Sequence, residues 1–213
     1  MENRCVGRGW ISFAVLGGIT ACAVAGSGMF AFAQERIPTE ETQKIARKLI
    51  ETLGKPADVQ LTVDADPDQS EGYKHDQLGL VVLPDRKLTA EALNAAGAEP
   101  IPVGQLWLKG ISPMVDGKVI PNGQHRVFSL TVKDNTFDVA VCLLGARKRD
   151  VKLELVLFGT GKTPILVAVL EPDQSVATAA ISIAVQKEND DTGRVDLSLV
   201  GKYKAKLLMK KAE

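Results

Sequence analysis

Three carboxylates in one loop have the residue types and the spacing that a metal ion needs. Asp64, Asp66 and Asp68 alternate with other residues, and oxygen ligands spaced in this way can converge on a hard cation such as calcium. An EF-hand loop, however, needs glycine at the position of Gln69 and a bidentate glutamate at the position of His75. These departures favour a solvated acidic loop, and the three aspartates stay candidate metal ligands.

The two histidines of the chain, His75 and His125, are the other candidate metal ligands. They lie in separate predicted loops, whereas a zinc site usually draws on histidines or cysteine pairs at short local spacing. If both approached the Asp64–Asp68 loop, they could form the centre of a small extracytoplasmic metal-dependent hydrolase. The sequence keeps this enzyme as an alternative, but it predicts no cofactor and assigns no catalytic or cofactor-binding residue.

The segment Gly159-Thr160-Gly161-Lys162-Thr163 imitates the end of a phosphate-binding loop. That motif needs another glycine five residues before Gly161, so that backbone amides can wrap the phosphates, and it must open a helix. The required position holds Val156, and Pro164 with the β-branched run after it favours a strand. The sequence therefore predicts a hairpin turn here and no nucleotide site.

Cys142 is the one cysteine beyond the N-terminal 33 residues, so an intramolecular disulfide is excluded if that segment is removed. Its neighbours Val141 and Leu143 belong to an apolar run. A small core residue is therefore predicted at Cys142, in preference to a nucleophile, because no adjacent base is indicated.

Lys202, Lys204 and Lys206 lie on one side of the last predicted strand. Such a strip could bind an anion, or it could protect an edge strand from pairing with other chains. The balanced charge of the protein favours the edge strand.

Composition gives no sign of a nucleic-acid partner. Lysine plus arginine and aspartate plus glutamate both number 26, so the formal net charge is zero. Beyond residue 33 only six aromatic residues remain, and modules that stack bases or sugars usually need several exposed rings. The sequence therefore predicts no nucleic-acid binding.

Residues 1–33 have the pattern of an export signal. Arg4 and Arg8 precede an uncharged stretch from Trp10 to Ala33, and small residues at Ala31 and Ala33 suit cleavage after Ala33. The predicted mature protein is periplasmic or secreted.

Two other fates of this segment stay open. Ile19-Thr20-Ala21-Cys22 resembles a bacterial lipobox, in which Cys22 would be acylated. The apolar stretch is also long enough to span a bilayer uncleaved. Each fate places the folded part outside the cytoplasm, and contact with a membrane is predicted only through an uncleaved or lipidated N-terminus.

Residues 34–57 are predicted to form a helix and a linker. Apolar residues recur every three or four positions over Thr39–Leu53, Thr39 can cap the start and Gly54 can end the helix. Packing on a sheet is favoured over a membrane-surface or partner helix. A second, short helix is predicted over Thr89–Ala96.

Residues 58–213 alternate short apolar runs with turn residues. The central feature is Val151–Leu170, where two β-type runs joined by a Gly-rich turn predict an antiparallel hairpin. Further strands are predicted at Val59–Val63, Leu78–Leu83, Val103–Leu108, Phe128–Val132, Phe137–Leu143, Ala179–Val185, Val195–Leu199 and Lys202–Leu208, with a loop or small hairpin at Lys109–Gly123.

Strands at this spacing, with turns between them, predict a mainly β fold. We expect an antiparallel β-sandwich, Ig-like or jelly-roll-like, with one N-terminal amphipathic helix and one short helix. Export, a compact β-rich domain and the lack of a catalytic signature predict a non-catalytic binding or scaffolding module of a bacterial cell envelope. Its partner, an envelope protein or a ligand, is not identified by the sequence.

Overall fold

A computed structural model describes residues 35–54, 59–132, 135–174, 176 and 179–212. Two α-helices lie in these ranges, α1 (Thr39–Leu53) and α2 (Ala90–Asn94). The strands, in chain order, are β1 (Glu35–Arg36), β2 (Glu71–His75), β3 (Leu78–Pro84), β4 (Ile101–Lys109), β5 (Ile111–Val115), β6 (Lys118–Val119), β7 (Arg126–Val132), β8 (Asn135–Arg149), β9 (Lys152–Phe158), β10 (Leu166–Val169), β11 (Glu171–Pro172), β12 (Ile181–Lys187), β13 (Thr192–Leu199) and β14 (Tyr203–Lys211).

The strands form two antiparallel sheets. The first has the order β1-β2-β3-β4-β8-β9-β10, with β7 also paired to β8. The second has the order β12-β13-β14-β5-β6, with β11 also paired to β14. The predicted fold class, a mainly β antiparallel sandwich with one amphipathic and one short helix, is confirmed.

The central hairpin is confirmed as β9 and β10, which pair through Leu157 and Leu166. Directly after β10 the chain crosses from the first sheet to the second. The Leu170 backbone N–H still donates to the Leu153 carbonyl, whereas Glu171 pairs with Lys204 of β14. This crossing joins the two sheets along one side of the sandwich.

Aliphatic side chains fill the space between the sheets. Strands β3, β4, β8 and β9 supply alternate residues from one side, and β12, β13 and β14 supply them from the other, as pleated strands require. The fully buried members include Leu106, Leu144, Leu155, Leu157, Ile181, Leu197 and Leu199.

Helix α1 covers the outer face of the first sheet and gives the molecule three layers. Ala46, Leu49 and Leu53 pack against the remaining alternate residues of the sheet, including Trp107 and Val141. The indole N–H of Trp107 donates to Gln105 Oε1 at 2.9 Å, so the polar atom of this buried ring is satisfied. The predicted packing of the helix on a sheet is confirmed.

Two predictions from the sequence are wrong, one about a strand and one about the start of helix α1. Val59–Val63 is not a strand, although Leu61 packs on the sheet beside Phe158; the segment crosses the outer face and makes no ladder there. Thr39 is not the cap of α1, because Pro38 holds that position without a side-chain hydrogen bond. The predicted end is confirmed, since Gly54 has a positive φ of 59° and its N–H reaches the Ile50 carbonyl.

Helix α2 is shorter than the predicted Thr89–Ala96. It occupies Ala90–Asn94, and the Thr89 side chain caps it by accepting from the Ala92 N–H. The predicted loop or hairpin at Lys109–Gly123 is a hairpin, formed by β5 and β6.

The predicted signal peptide, the cleavage point after Ala33 and the alternative lipid site at Cys22 lie outside the described residues. Within the described part of the chain, neither helix has the length and apolar character to cross a membrane.

Candidate functional site

A cleft of about 340 Å³ opens at one end of the sandwich, between the two sheets. Three segments surround it: the β2–β3 hairpin, the β12–β13 hairpin, and the paired ends of β5 and β14. Its walls are largely apolar and are formed by Tyr73, Leu78, Leu80, Ile111, Val185, Val195 and Met209. Clefts of several hundred Å³ with apolar walls are the usual form of small-molecule sites.

The alternation of inward and outward side chains along β12 and β14 also places basic residues at the mouth of this cleft. On β12, Ile183 is buried and Val185 lines the cleft, so Lys187 at the next alternate position lies on the same inner face. On β14, Met209 is buried and Lys211 follows it in the same way. Two lysines from different strands therefore line the mouth.

His75 takes the corresponding position on β2. Tyr73 faces the second sheet, because its hydroxyl donates to the Ile183 carbonyl at 3.1 Å, and His75 is two positions further along the same strand. It lines the cleft, with Asp76 Oδ2 3.5 Å from its Nε2. The structure thus places one sequence-predicted candidate residue, His75, at the mouth of this apolar cleft.

His125 lies elsewhere, in a buried chain of polar groups. Its Nε2 is 2.9 Å from the Ser112 Oγ, and its Nδ1 is 3.7 Å from the Cys142 Sγ. The Ser112 hydroxyl donates in turn to the Ile120 carbonyl at 3.2 Å. Burial raises the pKa of the Cys142 thiol to about 12, so the thiol stays protonated and can donate to Nδ1.

This Ser–His–Cys arrangement resembles a nucleophile with its base only in composition. All three side chains are buried, and desolvation lowers the pKa of His125, although its hydrogen bond to the Ile120 carbonyl partly opposes that shift. A neutral imidazole between a hydroxyl and a thiol satisfies polar atoms inside the core. The predicted core position of Cys142 is confirmed, and His125 ties β5 to β8.

The carboxylates of the acidic loop already have partners, which are a backbone N–H group of the loop and arginine side chains. Asp66 Oδ1 accepts the Asp68 N–H at 3.1 Å, and Arg86 lies 3.6 Å from carboxylate oxygens of both Asp64 and Asp66. Arg47 of α1 lies 2.6 Å from Asp68. Across the described residues, no group of three or more His, Cys, Asp or Glu side chains could hold a metal ion. The geometry therefore gives the five candidate ligands no common ion position.

The Gly-rich turn at 159–163 has a packing role. A Cβ at Gly159 would overlap the carbonyl oxygen of Gln124, so only glycine lets the two segments approach. The Thr160 N–H donates to that same carbonyl at 3.0 Å, and the Arg126 Nε donates to the Gly159 carbonyl at 3.1 Å. The turn joins the ends of β7 and β9 along β8.

The lysines of β14 pair with carboxylates on the outer face of the second sheet. Lys204 lies 3.0 Å from the buried carboxylate of Asp196, and Lys206 lies 3.0 Å from Glu171. The prediction that this strand lies at an edge is wrong, because β14 pairs with β13 on one side and with β5 and β11 on the other. The lysines instead balance the acidic side chains beside them.

The sequence contained a signal for the cleft that the predictions missed. The inward pattern Ile181, Ile183, Val185 continues to Lys187, and the pattern Ala205, Leu207, Met209 continues to Lys211. A charged residue at an inward position marks the place where an interior opens to water.

Compared with known proteins, the chain matches no family model, no curated protein and no solved structure.

Proposed function

We propose that this protein is an exported, non-catalytic binding module of a bacterial cell envelope, and that the end cleft holds its ligand. The observation that carries the proposal is a cleft of about 340 Å³ whose walls are apolar side chains. Apolar surface that stays open to water in a folded domain is a characteristic of binding sites. The ligand is accordingly a small molecule with an apolar part.

The position of the cleft supports this function. It lies where hairpins and strand ends meet, and the sheets that support it are held by a continuous core. Binding residues commonly sit on connecting segments held by a rigid scaffold. The buried Ser112, His125 and Cys142 belong to that scaffold, and none of the three lines the cleft.

A neutral environment-sensitive dye tests the cleft. The fluorescence of N-phenylnaphthylamine should increase when the dye is mixed with the wild-type protein. This increase should be much smaller with Leu78→Trp, because the larger side chain fills the cleft. Val127→Trp is the matched control, because Val127 is half exposed on β7 and lies outside the cleft. Equal dye binding by both variants, at equal urea midpoints, would count against the cleft as the site.

Intact-mass analysis tests export. The mature protein recovered from the cell envelope or the medium should begin at Gln34, or at a lipid-modified Cys22 if the lipobox is used. A full-length chain found solely in the cytoplasm would contradict the proposal.

A further inference from the structure

We infer that the ligand of the end cleft is an amphiphile: an apolar chain lies between the sheets, and an anionic head group lies at the mouth against Lys187, Lys211 and His75. This inference rests on the proposed function, and it adds the chemical class of the ligand. It follows from three features of the cleft: its apolar walls, the depth of His75 and Lys187, and the exposure of the acidic groups beside them.

The walls define the apolar part. Leu80, Val195 and Met209 are buried at the inner end of the cleft, and Leu78, Ile111 and Val185 are half-buried nearer its opening. Transferring a hydrocarbon chain from water to such walls is favourable by about 0.8 kcal/mol for each buried CH₂ group. A small polar anion alone would leave these walls without a partner.

Depth separates two basic side chains of the mouth, His75 and Lys187, from their acidic neighbours. The His75 side chain is 25% exposed, whereas its neighbour Asp76 is 84% exposed. The Lys187 side chain is 29% exposed, whereas Asp190, 2.6 Å away, is 94% exposed. A ligand that reaches His75 and Lys187 therefore finds these two side chains deeper in the cleft than the carboxylates of Asp76 and Asp190, whereas Lys211 and Asp191 are both exposed.

The contacts already present leave room for an anionic head group. Lys211 is an exposed residue of the cleft lining and has no ion pair with a described residue. The pair between Lys187 and the solvent-exposed Asp190 is weak, as surface ion pairs are, and a head group can share that lysine. An anion bound by two ammonium groups gains charge-assisted hydrogen bonds that a neutral head group cannot make.

Decanoate and decanol are the probes, because they have the same chain and differ in the charge of the head group. Both should displace N-phenylnaphthylamine from the wild-type protein, and decanoate should do so with about tenfold higher affinity. In the double variant Lys187→Met and Lys211→Met, decanoate should lose about this factor while decanol is unaffected. Methionine keeps an unbranched apolar side chain at each position and removes the charge.

Lys202→Met is the matched control, since Lys202 is an exposed lysine of the same protein outside the cleft. Its affinity for both probes should equal that of the wild type. The single variant Lys211→Met, at an exposed strand end, repeats the test if the double variant has a lower urea midpoint.

The outcomes separate this inference from the proposed function. Equal wild-type affinity for decanoate and decanol would overturn the anionic head group and leave the apolar cleft standing. Displacement of the dye by neither probe, together with dye binding that Leu78→Trp does not reduce, would overturn both.

Discussion

The backbone at Gly159 passes so close to the Gln124 carbonyl that no side chain fits between them. Gly159→Ala should lower the free energy of unfolding by about 1–3 kcal/mol, because the segment must move to accommodate the added carbon. The shift should separate the turn from the end of β7, where Arg126 and Thr160 make their hydrogen bonds. Urea denaturation followed by circular dichroism measures the change.

Gly161→Ala supplies the control two residues away. The nearest atom to a Cβ there is the Thr163 nitrogen at 3.9 Å, which is an ordinary contact distance. Its free energy of unfolding should stay within about 0.5 kcal/mol of the wild-type value. If both glycines tolerated alanine equally, close packing would not explain why the turn is rich in glycine.

The stability of the protein should depend on pH through His125. Burial lowers the pKa of this imidazole below its ordinary value of 6.5, so the unfolded chain takes up the proton first as the pH falls. The free energy of unfolding should therefore decrease as the pH drops below 6.5, and this decrease should end once the pH is below the lowered folded pKa. Urea midpoints measured from about pH 8 to about pH 5 test the slope.

His125→Gln should remove that slope, because glutamine keeps a polar side chain and cannot take up the proton. His75→Gln should keep it, since His75 lies at the cleft mouth and outside the buried chain of polar groups. A slope that survives in His125→Gln would assign the pH dependence to other groups.

The sequence showed the core position of Cys142 but concealed its partner. Val141 and Leu143 mark an apolar run, and that was enough to predict burial of the cysteine. His125 contacts Ser112 and Cys142, which are 13 and 17 residues away in the sequence. These contacts depend on how β5 and β8 pair with their neighbouring strands. A histidine in a polar loop and a histidine in a core thus look alike in the sequence.

Helix α1 is a layer of the core, and its removal from the sheet should be costly. Leu49→Ala should lower the free energy of unfolding by about 2–5 kcal/mol, because Leu49 is 2% exposed and packs on the first sheet. Urea denaturation followed by circular dichroism provides the measurement.

Lys44→Ala on the exposed side of α1 should change stability by less than about 0.5 kcal/mol. A small effect of Leu49→Ala would contradict the role of this helix as a layer of the core.

Apolar runs in the sequence distinguish the two sheets. Residues of β3, β8 and β9 form nearly continuous apolar runs, which is typical of strands buried on both faces. Strand β14 alternates apolar residues with lysines, which is typical of strands with one face in water. The three-layer arrangement could therefore be predicted from the sequence. The order of the strands could not, because the pattern of apolar and polar side chains does not determine which strands pair with each other.

Val59–Val63 shows the limit of such patterns. Its alternation is that of a strand and its burial alternates too, with Leu61 buried and Thr62 exposed. The segment nevertheless lies across the face of a sheet, where no neighbouring backbone pairs with it. An apolar face can be buried without a ladder.

At the scale of the whole molecule, side chains close one border between the sheets. Glu71 is 7% exposed, and its Oε2 accepts the Ile183 N–H at 3.0 Å while Tyr73 donates to the Ile183 carbonyl at 3.1 Å. Gln69 Oε1 accepts the Ala180 N–H in the same way at 3.3 Å. Residues near β2 thus supply the hydrogen bonds that a neighbouring strand would give to β12.

Glu71→Ala should lower the free energy of unfolding by about 1–3 kcal/mol, because it leaves the buried Ile183 N–H without its acceptor. Hydrogen exchange of the Ile183 amide should become faster than in the wild type. Glu171→Ala is the matched control, since Glu171 is exposed and its pair with Lys206 should contribute less than about 1 kcal/mol. Unchanged exchange at Ile183 in Glu71→Ala would contradict the role of the carboxylate.

The contacts of Glu71 and Tyr73 with Ile183 also bear on how quickly the chain reaches its native state. They join residues that are 110 or more positions apart, so they form only after a very long loop has closed. Proteins with many contacts between residues distant in sequence fold slowly, in milliseconds to seconds. During synthesis the contacts between β2 and β12 cannot form until β12 has left the ribosome. The earlier strands are therefore accessible to chaperones in the meantime.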